Sequence, residues 1–298
     1  MENQLEALTI IFTEVYYWIT VVLMFLIHVG FCMYEVGASR KKHMLHTLMK
    51  NTMLIPLVTV TFYFFGWWIY WAFQNGPGIT GGLISAPWAT PWSELMGTHM
   101  GGAPAHAGLS GDDTMAWARI NGVFWAAFLL FSWTAASIVS GAVIERIRSG
   151  AFWILAILIG SFCWILDAAW GWSENGWMVQ KLGYHDAYAS GVIHAVAGGF
   201  ALGVLIHLGA RIGKFAADGT PRIIRPHNPW LVTVGLFMIY TGFWGFYVAC
   251  NIPILDIGEA AGMDGSFFST TNIYLTPTST SAITFNFLMS LSGGLMVG

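Results

Sequence analysis

Six ionisable side chains lie within long apolar runs or at their ends: His28, Glu35, Asp167, Asp186, His194 and His207. An ionisable group in hydrocarbon is costly, so such residues mark either a buried pair or a pathway. Asp186 and His194 are the most informative, eight residues apart. On a helix that spacing is two turns plus about 80°, with about 12 Å of rise. The carboxylate would sit at a mouth and the imidazole near mid-depth, where it can accept or pass on a proton. The structural alternatives are an N-cap for Asp186 and, for His194, a buried ring bonded to a neighbouring helix. Gly191, Ala195, Ala197, Gly198 and Gly199 flank His194. Residues that small permit close helix packing or leave a narrow passage.

Aromatic side chains gather in the neighbouring runs. Phe124, Phe128 and Phe131 lie in one, Trp164, Trp170 and Trp172 in the next, and Phe246 one turn before Cys250 in a third. A ring face attracts a cation by about 0.5–2 kcal/mol, more when water is excluded. Trp170, Phe131 and Phe246 would then stand at successive depths above His194. Singly, each reads first as an interface belt or packing residue.

Those residues need elements to hold them. The 298 residues are 56% hydrophobic and 9% charged, against about 25% charged in a soluble domain. The chain is therefore read as an all-α integral membrane protein forming a single transmembrane domain over 1–298. Seven stretches reach the roughly 20 apolar residues a spanning helix needs: 12–37, 51–74, 120–144, 151–172, 187–210, 229–250 and 279–298. A net charge of −3 gives no reason to expect a nucleic-acid partner. Cys32, Cys163 and Cys250 show no CxxC spacing, so neither a metal site nor a disulfide framework is expected. No cofactor is expected either. The acidic first residues and the long first run do not read as a cleaved signal.

Basic residues set the topology. Arg40, Lys41, Lys42, Lys50, Arg146, Arg148, Arg211, Lys214, Arg222 and Arg225 fall in or beside alternate loops, and only Arg119 and Lys181 fall on the other side. The positive-inside rule then puts the N-terminus outside, in a multi-pass protein of the cell's inner (plasma) membrane. The outer loops carry Glu94, Asp112, Asp113, Glu174, Asp256, Glu259 and Asp264, which would concentrate cations or simply keep those loops soluble. The run Leu288–Gly298 ends without a polar flank, so truncation is expected. An inverted helical repeat is compatible with these runs.

Four motifs together resemble the Amt/Mep/Rh ammonium transporters, in their prokaryotic Amt branch. Ser140–Arg148 (SGAVIERIR) is similar to that family's GA-x-AER segment, and Trp170–Trp172 (WGW) to its WGGG. The run from Asp186 to His194 resembles D-x-A-G-G-x-x-x-H, with the acid-to-histidine spacing intact. Pro226–Pro229 (PHNP) followed by Gly242–Phe246 (GFWGF) resembles HNLP…GWFGFN. The short pieces are weak alone; their order and separation make the set specific across nearly the whole chain outside the long outer loops.

The resemblance implies an Amt-like bundle: a first five-helix repeat plus two helices of an inverted second repeat. It implies transport of ammonium or ammonia, with methylammonium as a related substrate, and no enzymatic activity. Trp170 would hold the cation in an outer vestibule, joined by Cys250 and Phe131, with Asp186 in electrostatic support. Phe131 and Phe246 would gate the pore, and His194 would be a pore histidine. A homotrimer and a cytoplasmic regulatory protein are the implied partners, besides the lipid bilayer. The chain departs from the pattern in places. Cys250 replaces a serine, Asp167 a frequent histidine, and Tyr188, Ala189 and Ser190 the run Ala-Gly-Gly. Phe243, Trp244 and Tyr247 replace Trp, Phe and Asn. The family's second pore histidine, from a later helix, has no counterpart in the seven segments.

Other classes stay open. An ammonium sensor of the same fold is the nearest rival. A retinal protein would need a lysine in 279–298, which has none. A di-haem carrier would use His194 and His207.

Overall fold

The computed structural model describes residues 2–74, 114–173, 176–186, 188–250 and 280–297. Among them every regular element is a helix. With no water in hydrocarbon to satisfy N–H and C=O groups, a spanning chain has to close its hydrogen bonds within each segment. The helices are α1 (Glu2–Ala38), α2 (Lys41–Ala72), α3 (Thr114–Ala142), α4 (Ser149–Gly171), the short α5 (Trp177–Leu182), α6 (Ser190–Leu208), α7 (Pro229–Ala249) and α8 (Thr280–Val297). Six contain spans long and apolar enough to cross a membrane; the described apolar part of α8, Ile283–Val297, is shorter. Each of the seven expected segments thus corresponds to one helix, and α5, too short and mixed to give a periodic signal, was not expected. The outer-loop acids Glu94, Asp112, Asp113, Glu174, Asp256, Glu259 and Asp264 lie outside the described residues.

The α3 helix is the central strut. Of its most apolar stretch 78% is buried, against 22–39% for the other five. The tightest pairing is α1 against α7, and glycine sets it. A Cβ on Gly30 would fall 2.6 Å from the Gly235 carbonyl oxygen, and one on Gly235 would fall 2.7 Å from that of Gly30. The two backbones touch there, which no larger residue permits.

Three helices carry a wide π turn: Phe62–Gly66 in α2, Ile159–Cys163 in α4 and Ser190–Ala195 in α6. The first two are neighbours, joined by a 2.7 Å hydrogen bond between the Thr61 and Ser161 hydroxyls.

At the basic end, a buried polar network ties four helices. Lys50 Nζ lies 3.2 Å from Glu35 Oε2, donates to the Ser140 carbonyl at 2.6 Å and stands 5.1 Å from the Phe152 ring centre. Asn51 and Ser140 also donate to Glu35 Oε2, at 2.9 and 2.7 Å. Lys50 is thus not a loop cation. It is 1% exposed inside α2, because Glu35 supplies the counter-charge that hydrocarbon cannot.

Two of the motifs explain themselves at this same end. Glu145, just beyond α3, holds a left-handed conformation with φ of 60°. Its carboxylate, fully buried, accepts from Arg40 Nε at 2.8 Å and lies 4.0 Å from Arg211. In the PHNP run, His227 donates through Nδ1 to the Ser39 carbonyl at 2.9 Å. Asn228 Oδ1 then caps Leu231 N at 3.2 Å, and Pro229 takes the first helical position, where its missing N–H costs nothing. The motif hooks α7 onto the end of α1 and starts it.

Candidate functional site

The site is built outward from Asp186. Its Oδ1 accepts from Ser190 N at 2.7 Å, and its Oδ2 accepts from Gly191 N at 2.8 Å and Val192 N at 2.9 Å. The Tyr184 hydroxyl donates to Oδ2 at 3.3 Å. One carboxylate therefore satisfies three orphan donors at the start of α6 and offsets the positive end of its dipole. Burial, followed by the nearby Asp186 and Asp167 charges, pushes the Tyr184 hydroxyl up to about 12. The helix starts at Ser190 with a π turn, so the rise computed from a continuous α-helix does not apply between Asp186 and His194.

Ala189 enters this turn at φ of 62°, a left-handed conformation that favours glycine. Its carbonyl is consequently turned toward the helix, where it accepts both His194 N at 3.0 Å and His194 Nδ1 at 2.9 Å. A carbonyl can only accept. The proton is therefore assigned to Nδ1, and Nε2 of the neutral ring keeps its lone pair as an acceptor.

Three of the expected residues form one continuous contact chain. Phe131 from α3 meets Phe246 from α7 with ring centres 4.8 Å apart, and Phe246 meets the half-buried His194 ring at 6.3 Å. Phe243 flanks the histidine at 6.1 Å. Phe131 is 2% exposed and Phe246 is fully buried, so the two rings meet in an apolar, buried contact. Cys250 lies one turn beyond Phe246, its N–H bonded to the Phe246 carbonyl at 3.1 Å, and it is buried too.

Trp170 stands to one side of that chain. Its Nε1 donates to the Phe73 carbonyl at 2.9 Å, and its described ring contact is with Trp177 at 6.0 Å. The tryptophan that packs on Phe131 is Trp172, at 5.2 Å. Trp172 also touches Phe128 at 5.7 Å, and its Nε1 donates to the Asp186 carbonyl. It thereby links Phe131 to the start of α6. The sequence reading noted Trp172 without a role; its position as a second bulky residue where the WGGG motif has glycine was the available signal.

Two other candidates are structural in their contacts. His28 is buried with Nε2 3.1 Å from the Leu130 carbonyl, beside Trp133. Glu35 belongs to the Lys50 network. A cavity of about 270 Å³ beside the chain of rings is lined by Tyr188, Tyr247, Asn286 and Phe287 among others, and the sequence reading did not find it.

The chain is similar to known proteins in sequence and in fold. Residues 15–295 match the model of the Ammonium Transporter Family. An ammonium transporter Amt2 of Methanocaldococcus jannaschii is 32% identical over 238 residues, covering 79% of this chain and 49% of that protein. An Amt2 of Haloferax mediterranei is 29% identical over 252 residues, covering 84% and 50%. Among solved structures, one titled Sensor Amt Protein superposes with a TM-score of 0.66 at 24% identity, covering 85% of this chain and 57% of that one. Candida albicans Mep2 superposes with a TM-score of 0.59 at 23% identity, covering 81% and 49%. The chain spans about half the length of the curated relatives it matches. By the family model across almost its whole length, and by an all-helical bundle shared with Amt and Mep proteins, this chain belongs to the ammonium transporter family.

Proposed function

We propose that the chain carries the entry and gate of an ammonium-conducting pathway. The observation that supports this reading most is the unbroken contact of Phe131, Phe246 and His194. Ammonium and potassium match in charge and nearly in size, and they differ in the proton that only ammonium can give up. Aromatic groups on the outer side, with Trp170, Trp172 and Cys250 nearby, gather the cation. The Phe131–Phe246 constriction penalises a bare charge. The cation leaves its proton with water at the outer mouth, and ammonia passes and meets the free lone pair of His194 Nε2, which accepts its N–H. Asp186 supports the arrangement by fixing the α6 start and adding negative potential at the mouth. In this reading the N-terminus faces outward, the basic loops face the cytoplasm of a plasma (inner) membrane protein, and the assembly is a homotrimer open to a cytoplasmic regulator.

A receptor is the second reading, favoured by the superposition on a protein titled a sensor. Flux separates the two. The protein is reconstituted in liposomes and labelled methylammonium uptake is followed, with His194→Ala and Phe131→Ala alongside. Conduction requires uptake above empty vesicles that falls at least about tenfold in His194→Ala, with potassium admitted in Phe131→Ala. Saturable binding without uptake would replace conduction by sensing.

A further inference from the structure

We infer that the cavity between α6, α7 and α8 is an aromatic cage for a quaternary ammonium cation, a ligand class larger than ammonium and distinct from the methylammonium of the proposed pathway. The cavity has about 270 Å³, and a water molecule or a similarly sized ammonium ion occupies about 30 Å³ of liquid. It therefore has room for a cation bearing several methyl groups.

Its walls suit that chemistry. Tyr188 and Tyr247 meet at 5.3 Å and 77°, and Tyr247 and Phe287 at 5.0 Å and 66°. Rings set steeply to one another around one space act as walls rather than as a stack. A methylated ammonium presents a diffuse positive surface that such ring faces attract without a counter-ion. Among the described residues the lining carries no formal charge, and Ser190 from α6 with Asn286 and Ser290 from α8 supply polar atoms. Asn286 and Ser290 sit one turn apart on α8, both exposed. Polar groups at membrane depth face a cavity or a partner rather than lipid, and this cavity is what they border.

The lining also coincides with the chain's own departures from its family's motifs. Tyr188 stands for alanine, Ser190 for glycine and Tyr247 for asparagine. Three substitutions at separate motif positions converge on one cavity, and two of them add a ring. The cage lies beside the gate: Tyr247 touches Phe243 and Phe246, both at 5.8 Å, and those rings flank His194. A quaternary ammonium has no proton to release, so a deprotonating pathway would hold it at this point and not pass it.

The inference extends the proposed function to a second ligand, and its test reads binding alone, so it can fail while conduction stands, and the reverse. Choline is titrated into the purified protein by calorimetry. Potassium and 3,3-dimethylbutanol, the uncharged isostere of choline, serve as comparisons. Choline is expected to bind at least about tenfold more tightly than either. The Tyr188→Ala/Tyr247→Asn double variant is expected to lose about tenfold in affinity, and Tyr188→Phe/Tyr247→Phe, which keeps both ring faces, to stay within about twofold of the parent. Equal binding of dimethylbutanol, equal binding of potassium, or no choline binding overturns the cage. If the Ala/Asn variant does not fold, the Phe pair and the choline-to-isostere ratio decide.

Discussion

Phe131 and Phe246 meet edge to face, 4.8 Å between centres and 69° between planes, although α3 and α7 bring them from positions 115 residues apart. Neither ring is reachable by water. Truncating either to alanine removes a core side chain and, in the proposed pathway, its plug. Each variant is expected to cost about 3 kcal/mol of stability and to raise potassium leakage in reconstituted vesicles. Leakage unchanged in both would show that these rings are packing and nothing more.

The left-handed Ala189 gives a simpler test. Glycine adopts that conformation without the Cβ clash, so Ala189→Gly is expected to stabilise the folded protein by about 1 kcal/mol, and Ala189→Val to destabilise it by at least as much. Thermal unfolding in detergent reads both directions. A lower melting temperature for the glycine variant would contradict the φ of 62°.

Glu35 and Lys50 form a buried pair at 3.2 Å. Lys50→Met leaves an unpaired carboxylate inside the bundle, at an expected cost of about 3–5 kcal/mol. Removing both charges with Glu35→Gln/Lys50→Met is expected to recover most of that loss. The four corners of the cycle, measured by denaturation, give the coupling. Additive losses would mean the two charges act independently.

Alkaline pH probes the mouth. The Tyr184 hydroxyl is raised to about 12 in the fold, against about 10 for an unfolded tyrosine. Between those values the folded state holds a proton that the unfolded state releases. Its contribution is therefore complete below pH 10 and fades as pH rises toward 12. Tyr184→Phe is expected to flatten the pH dependence of the melting temperature across that window. An unchanged slope would show that neither burial nor the Asp186 charge raises Tyr184 in the fold.

How far these features were legible in sequence depends on what encodes them. The membrane helices came through because runs of 20 apolar residues are a one-dimensional signal. The Asp186 cap was legible as well, since an acid before a helix has few other uses. The π turns were not: one extra residue in a helix leaves no mark in composition. Lys50 was counted with the basic residues in or beside the loops, because its partner Glu35 lies in another helix and pairing across helices is invisible along the chain. Trp170 and Trp172 show the same limit. Motif order selects the first, whereas packing on Phe131 selects the second. Two residues apart at a helix end, they point to different sides.

The joined wide turns of α2 and α4 bear on how this bundle can vary. Each inserts one residue, so the half-helices on either side are wound about 100° out of step with a uniform α-helix. Deleting that residue from α4 would rotate Trp164, Trp170 and Trp172 together onto another bearing, and break the match between Thr61 and Ser161. A gap in one of these helices should therefore be accompanied by a gap in the other wherever relatives are compared. The two would inherit their lengths jointly, as a pair of gears keeps its ratio.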